Sequence, residues 1–273
     1  MSRERLRVAV TGAAGRMGRR VLSAALEADG IDVSAALVSP GHAWEGRDLG
    51  VCMGRLPTAR TVTSNASLAF AGAQVAIDFT HPRATLSFLS ELERSCVALV
   101  CGTTGFQPEE LEAISGLARH VPVVLAPNMS LAVNVMSSLV KQASRLLGPE
   151  YDLEVLELHH RYKKDSPSGT ALALAAAGLE PRGGSLESAL NIRARGQTGP
   201  RQSAGEVGMG ALRGGDVVGE HTVFFLGTGE RLELTHRATD RQSFANGAIR
   251  AAWWVVNQPP GLYSMQDVLG LGA

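Results

Sequence analysis

Val8-Ala9-Val10-Thr11-Gly12-Ala13-Ala14-Gly15-Arg16-Met17-Gly18 sets an apolar strand directly before three glycines spaced three apart, and helix-forming residues follow. A turn of this kind presents backbone amides at the positive end of a helix, and with no Cβ in the way a pyrophosphate can approach them closely. The spacing is Gly-x-x-Gly-x-x-Gly instead of the commoner Gly-x-Gly-x-x-Gly, so taken alone it fits an ordinary tight turn as well. Its position favours the phosphate loop, because it closes the first strand of a βα series. Working outward, apolar runs at Leu6 to Val10, Val33 to Val38, Val75 to Phe79, Ala98 to Cys101 and Val121 to Leu125 alternate with segments of helical length. Strands that are apolar throughout belong to a parallel sheet covered on both faces, so the fold class expected is α/β. Pro82 and Pro108 each suit the first turn of a helix, the former running toward Arg94.

The pattern changes after a helix from Met129 to Leu147, which Gly148-Pro149 stops before a new strand, Leu153 to Leu158. Strand-like segments near Leu190 to Ala194, His221 to Leu226 and Arg231 to Thr235 surround a single helix starting near Gly169, as expected of an α+β domain with a mixed sheet. Gly196 to Gly215 reads as a mobile loop with strand pieces, and Phe244 to Val256 as an amphipathic helix returning to the first domain. The division expected is residues 1–129 with 241–273 for dinucleotide binding and 130–240 for substrate.

Across 273 residues, 26 Lys and Arg balance 26 Asp and Glu, so no global field draws the chain to nucleic acid or an anionic membrane. The three cysteines lack metal-type spacing and read as reduced packing residues. Neither a secretory signal nor a membrane-length apolar run is present, and a cytoplasmic location is expected.

On the cofactor side, the candidates are Gly12, Ala13, Ala14, Gly15, Arg16 and Met17, with Arg16 able to add a charged contact to phosphate. Two further strand ends at the same sheet edge, Gly102-Thr103-Thr104 and Ala126-Pro127-Asn128-Met129, can flank a nicotinamide ring. No carboxylate follows the second strand, where Ala36-Leu37-Val38-Ser39-Pro40 stands, so NADPH and NADH both stay open, with NADPH favoured. Chemistry concentrates in Glu157-Leu-His-His-Arg-Tyr-Lys-Lys-Asp-Ser-Pro-Ser-Gly-Thr170. A reductase needs a proton source beside its hydride donor, and either His159 or His160 can serve. Lys163 can stabilise developing negative charge, and the helix start at Gly169-Thr170 offers amides to a carboxylate. Adjacent histidines lack the i,i+4 spacing that lets two imidazoles share an ion, so no metal is assigned.

These segments, in this order, resemble the dihydrodipicolinate reductases: Gly12-Ala-Ala-Gly-Arg-Met-Gly, Asp78-Phe-Thr, Gly102-Thr-Thr-Gly-Phe, Asn134-Val-Met, the Glu157 to Thr170 stretch, Arg213-Gly-Gly-Asp-Val-Val-Gly-Glu-His and Phe244-Ala-Asn-Gly-Ala. The resemblance implies a Rossmann-like cofactor domain, a mixed-sheet domain that binds substrate and builds a homotetramer, and NADPH- or NADH-dependent reduction of a small cyclic dicarboxylate on the diaminopimelate route to lysine. It implies His159 as proton donor, Lys163 as a second donor or electrostatic stabiliser, and His160, Gly169 and Thr170 as substrate contacts. The chain departs from the family at Val38-Ser39, where an acidic residue usually meets the adenosine ribose, at His81, where Arg is frequent, and at Ser166. A non-catalytic nucleotide-binding paralogue and a reductase of another cyclic imine carboxylate are the competing readings, which turnover separates.

Overall fold

The computed structural model of the chain describes residues 5–191, 201 and 205–271. It divides into two compact units, Met1–Leu131 with Gln242–Ala273, and Ala132–Arg241. The first unit is built on six strands: β1 (Leu6–Thr11), β2 (Ile31–Ala36), β3 (Val75–Asp78), β4 (Ala98–Cys101), β5 (Pro122–Leu125) and, late in the chain, β11 (Gly261–Tyr263). All pair in parallel, in the order β11-β5-β4-β3-β1-β2. Alternate side chains feed two cores. Val8, Val10, Ile77 and Val100 pack with Ala245, Ala248 and Ala252 of helix Gln242–Val255, while Ala9, Ala76, Leu99 and Val123 pack with Phe70, Leu92 and Ile114. Both faces are covered, which is why the strands read as unbroken apolar runs. The chain steps to β2 on one side of β1 and to β3 on the other, and a crevice is expected where the order reverses.

Two expectations are corrected in this unit. The helix from Pro82 toward Arg94 is two helices, Pro82–Ser87 and Leu89–Arg94, interrupted at Phe88, whose ring is buried edge-on against Phe70 at 5.7 Å. Of the three cysteines expected to be packing residues, Cys101 is buried and Cys52 partly so, but Cys96 is exposed, at a positive φ of 51°.

The second unit carries a mixed sheet of β6 (Asp152–His159), β7 (Leu190–Asn191), β8 (Val207–Arg213), β9 (Gly219–Leu226) and β10 (Arg231–Ala238), in the order β10-β9-β6-β8-β7. β6 runs parallel to β8 and antiparallel to β9. One face, with Leu153, Val155, Val207, Met209, Val223 and Phe225, packs on helices Leu131–Leu147 and Gly169–Leu179 through Met136, Val140, Leu174 and Leu179. The stretch read as a mobile loop with strand pieces from Gly196 to Gly215 contains β8, a full seven-residue strand beside β6. Its glycines hid it: a Cβ on Gly208 would lie 1.9 Å from Glu154 Oε2, and one on Gly210 3.0 Å from Leu156 Cδ1, because side chains of β6 lie across them. Residues 192–194 of the segment expected as a Leu190 to Ala194 strand, and 196–200 and 202–204 of the expected loop, lie outside the described residues.

Candidate active site

In the first unit the glycine turn opens a cleft of about 690 Å³ lined by Thr11, Gly12, Ala14, Gly15, Leu37, Val38, Ser39, Pro40 and His42 from the ends of β1 and β2, with Phe79, Thr80 and His81 across it. Gly12 has φ +57°, and a Cβ there would lie 2.6 Å from Thr80 Cγ2. Gly15 caps helix Arg16–Glu27 with no side-chain hydrogen bond to its amides. Gly18 lets that helix close on the turn, since a Cβ would lie 2.1 Å from Gly12 O. These are the three tasks a dinucleotide turn sets its glycines: the tight bend, the bare helix start and close packing. Ala13 is buried with its amide on Leu37 O, Arg16 is exposed in the first helical turn, and Met17 packs toward the core; none of the three lines the cleft.

Gly102, Thr103 and Thr104 follow β4, and Ala126, Pro127, Asn128 and Met129 follow β5, at the same edge of the sheet as the glycine turn. Thr104 and Pro127 are exposed, whereas Gly102 lies under the Phe79 ring, 2.2 Å from a built Cβ. Asn128 turns the chain by accepting from the Ser130 amide, and Met129 O abuts Gly247. Asp78 ties this edge together. Fully buried, its carboxylate accepts from the hydroxyls of Thr11 (2.5 Å), Thr80 (2.7 Å), Thr85 (2.5 Å) and Thr103 (2.8 Å). Thus the ends of β1, β3 and β4 share one acceptor. The Asp78-Phe-Thr motif was visible in the sequence; the convergence of four hydroxyls on it was not. Burial first, and the neighbouring Asp78 second, push the Cys101 thiol up to about 12, so it stays protonated and inert.

In the second unit the packed face of β6 changes character along the strand. Leu153 and Val155 are core, and the next two residues on that face are Glu157 and His159. Register brings Arg213 of β8 beside His159 and His221 of β9 beside Glu157. Glu157 is fully buried and has four donors: Arg213 Nη2 (2.8 Å) and the Ser168 amide (3.0 Å) on Oε1, Arg213 Nη1 (2.9 Å) and His159 Nδ1 on Oε2. Burial pushes its carboxyl up, but these donors together hold it below the usual range. His159 is likewise buried, which lowers its imidazole; Glu157 pulls it up, Lys163 and Arg213 push it down, and the balance falls below the ordinary value. His221 meets His159 edge-on at 5.2 Å and Ser168 Oγ at 3.2 Å, and burial, with His159 beside it, takes it down to about 4.

His160, the next residue, is partly buried with Nδ1 enclosed and unpartnered. Lys163 pairs with Asp165 at 2.7 Å. Ser168 caps helix Gly169–Leu179 by accepting from the Ala171 amide, so Gly169 and Thr170 head that helix as the sequence implied. His159, His160, Lys163, Gly169 and Thr170 therefore all lie in this unit, around the end of β6. Glu157, Arg213, Ser168 and His221 are the residues that reading by type passed over. The signal available for Glu157 was its i,i+2 relation to His159 on a strand. Among the described residues no cluster of His, Cys, Asp and Glu is arranged to hold a metal.

A parallel-sheet unit with a dinucleotide turn, joined in one chain to a mixed-sheet unit carrying a buried histidine beside lysine, defines a nicotinamide-dependent oxidoreductase. Residues 6–129 match the family model for the N-terminus of dihydrodipicolinate reductase, and residues 132–269 that for its C-terminus. The 4-hydroxy-tetrahydrodipicolinate reductases of Geotalea daltonii and Anaeromyxobacter dehalogenans are 45% and 48% identical, over 97% of this chain and 99% and 98% of their own. In fold, a dipicolinate-bound dihydrodipicolinate reductase from Paenisporosarcina sp. TG-14 aligns with a TM-score of 0.76 at 24% identity, over 96% of this chain and 98% of that one. An amine dehydrogenase from Mycobacterium smegmatis shares the architecture at a TM-score of 0.62 and 14% identity, over 95% of each chain. The chain belongs to the dihydrodipicolinate reductase family.

Proposed function

We propose a division of labour by which this chain carries out its family's reaction, the reduction of 4-hydroxy-tetrahydrodipicolinate by NAD(P)H with one proton, giving tetrahydrodipicolinate, the oxidised nucleotide and water. The observation that carries the reading is the buried His159, hydrogen-bonded through Nδ1 to Glu157 at the end of β6. When bound, the nicotinamide supplies the hydride. Gly12, Ala13, Ala14, Gly15, Arg16 and Met17 hold its phosphates through the turn amides and the helix start, and Gly102 to Thr104 with Ala126 to Met129 border its ring. The bare cap at Gly15 and the absence of any side chain at Gly12 support that fit.

His159 donates the proton that completes reduction, Lys163 supplies positive charge or a second proton, and His160 with the Gly169 and Thr170 amides holds substrate carboxylates. The low affinity of His159 for a proton in the ligand-free chain suits this role, because an arriving dicarboxylate brings the negative charge that raises it. NADPH is the preferred form: among the described residues lining the cleft none is Asp or Glu, and Ser39, His42, Ser64 and His81 are there to meet a 2′-phosphate. The assembly proposed is a homotetramer, supported by the face of the second sheet away from its helices, where Leu156 and Leu212 are exposed. A cytoplasmic enzyme fits, as no helix among the described residues is long and apolar enough to cross a membrane.

The test follows loss of reduced-nicotinamide absorbance with freshly generated substrate, for wild type and His159→Gln. The expected result is turnover with a lower KM for NADPH than for NADH, and a fall of about 10²- to 10⁴-fold in the variant. Near-normal turnover of His159→Gln overturns the assignment of the donor. Binding of both nucleotides without turnover in folded wild type makes the chain a non-catalytic paralogue.

A further inference from the structure

Resting on the reading of His159 as proton donor, we propose that Glu157 is its positioning residue: clamped by Arg213 and the Ser168 amide, it fixes the proton of the neutral ring on Nδ1 and leaves Nε2 as the nitrogen that gains and gives a proton. The geometry is over-determined. Four donors occupy the Glu157 carboxylate, so it can neither rotate nor offer a proton. Facing an acceptor that only accepts, His159 must donate from Nδ1, and its tautomer follows. The same clamp is tied to His221, because Ser168 gives its amide to Glu157 and shares a hydrogen bond between its hydroxyl and His221 Nε2, while the His221 ring abuts His159 edge-on. At the far side of the ring a Cβ on Gly219 would lie 2.9 Å from Nε2, so the lack of a side chain there leaves the nitrogen its space.

The groups facing His159 are Glu157 on its own strand, Arg213 on β8, His221 on β9 and Lys163 in the loop beyond β6, with Asp165 paired to Lys163 and His236 of β10 beyond His221. Among the described residues Glu157 is the one anion hydrogen-bonded to the ring. Removing its charge leaves Arg213 and Lys163 opposing the imidazolium, so His159 binds its proton more weakly still.

Turnover that needs protonated His159 is present below its pKa and lost as pH rises. In Glu157→Gln that loss therefore moves to lower pH. At neutral pH kcat falls by about 10- to 100-fold, the usual effect of deleting an orienting partner, with KM little changed. The deficit narrows as pH falls. Glu157→Asp retains the charge and keeps the limb near its wild-type position. Since Glu157→Gln strands Arg213 and can fail to fold, nitrogen NMR of intact wild type, with the His159 signal identified by its absence in His159→Gln, reads the tautomer directly. A neutral ring protonated on Nδ1 is the expected result; one protonated on Nε2 overturns the proposal. A Glu157→Gln deficit that is constant across pH also overturns it, as the mark of a merely structural role. Full turnover of His159→Gln overturns the donor reading and the proposal with it, whereas an inactive His159→Gln beside a wild-type Glu157→Gln profile overturns the positioning role alone.

Discussion

His221→Gln removes a buried imidazole while leaving an amide within reach of Ser168, and its consequence for stability can be worked out from the burial of the native ring. An ordinary histidine titrates near 6.5, and the folded site holds His221 down to about 4. Between those values the unfolded chain takes up a proton that the folded one refuses, so the wild type loses stability as pH falls through that window. Above about 6.5 nothing is lost, and below about 4 the loss stops growing. At about 1.4 kcal/mol per pH unit, the full difference is on the order of 3 kcal/mol. Glu157, His159 and His236 also favour the folded state less as pH falls, but they do so in both proteins and cancel in the comparison to first order. Urea unfolding read by far-UV circular dichroism is the suitable assay, because Trp44, Trp253 and Trp254 all belong to the other unit and do not report on this one. The variant is expected to be less stable than wild type near neutrality and to close that gap as the pH approaches about 4.5. Parallel stability curves would refute the reasoning, since they would mean that His221 titrates alike in the folded and unfolded chain.

Asp78→Ala strands the buried Thr103 hydroxyl and leaves those of Thr11 and Thr85 long contacts to the Ile77 and His81 carbonyls (3.4 Å each), at up to about 1–3 kcal/mol per hydroxyl, so the first unit should lose about 2–6 kcal/mol. Tryptophan fluorescence during urea unfolding measures it, and a loss below about 1 kcal/mol would show that the hydroxyls find other acceptors. Gly219→Ala puts a methyl group against His159 Nε2 at a backbone position that tolerates it, and should cut kcat by up to about 10²-fold with little effect on the unfolding midpoint. Unchanged kcat would mean that the ring moves aside without consequence.

How much the sequence revealed depended on whether a feature was local. Strands β1, β3 and β4 are buried on both faces and announce themselves as apolar runs, and the glycine turn carries its geometry in its spacing. β8 did not, because Gly208 and Gly210 yield their side-chain space to Glu154 and Leu156 of the neighbouring strand. Phe88 interrupts a helix for a packing partner, Phe70, that no local pattern names. The site divides the same way. His159, His160, Lys163, Gly169 and Thr170 lie within one short segment and were read together, whereas the contacts of Arg213 to Glu157 and His221 to Ser168 span 56 and 53 residues. They exist only through the register of β6 with β8 and β9. Val38, which the resemblance sets at a ribose contact, lines the cleft although most of it is packed in the core, and Ser39 beside it is exposed.

The charges around the end of β6 fall into a fixed set and a movable set, and that distinction bears on how an anionic substrate is received. Glu157 is fully buried and Arg213 partly so; the two are doubly hydrogen-bonded and further held by the Ser168 amide and the Asp165 carbonyl. Breaking such a pair would leave a charge without compensation, at several kcal/mol. Lys163 is paired instead with Asp165, whose side chain is 61% exposed. A pair open to water on one side contributes about 0–1 kcal/mol, so a substrate carboxylate can take Lys163 from Asp165 at little cost. Asp165 thus keeps Lys163 near the end of β6 in the ligand-free chain without competing strongly for it. Glu157, which would compete, has every acceptor position already filled. In the proposed role, Lys163 is thus a cation whose present partner is cheap to displace.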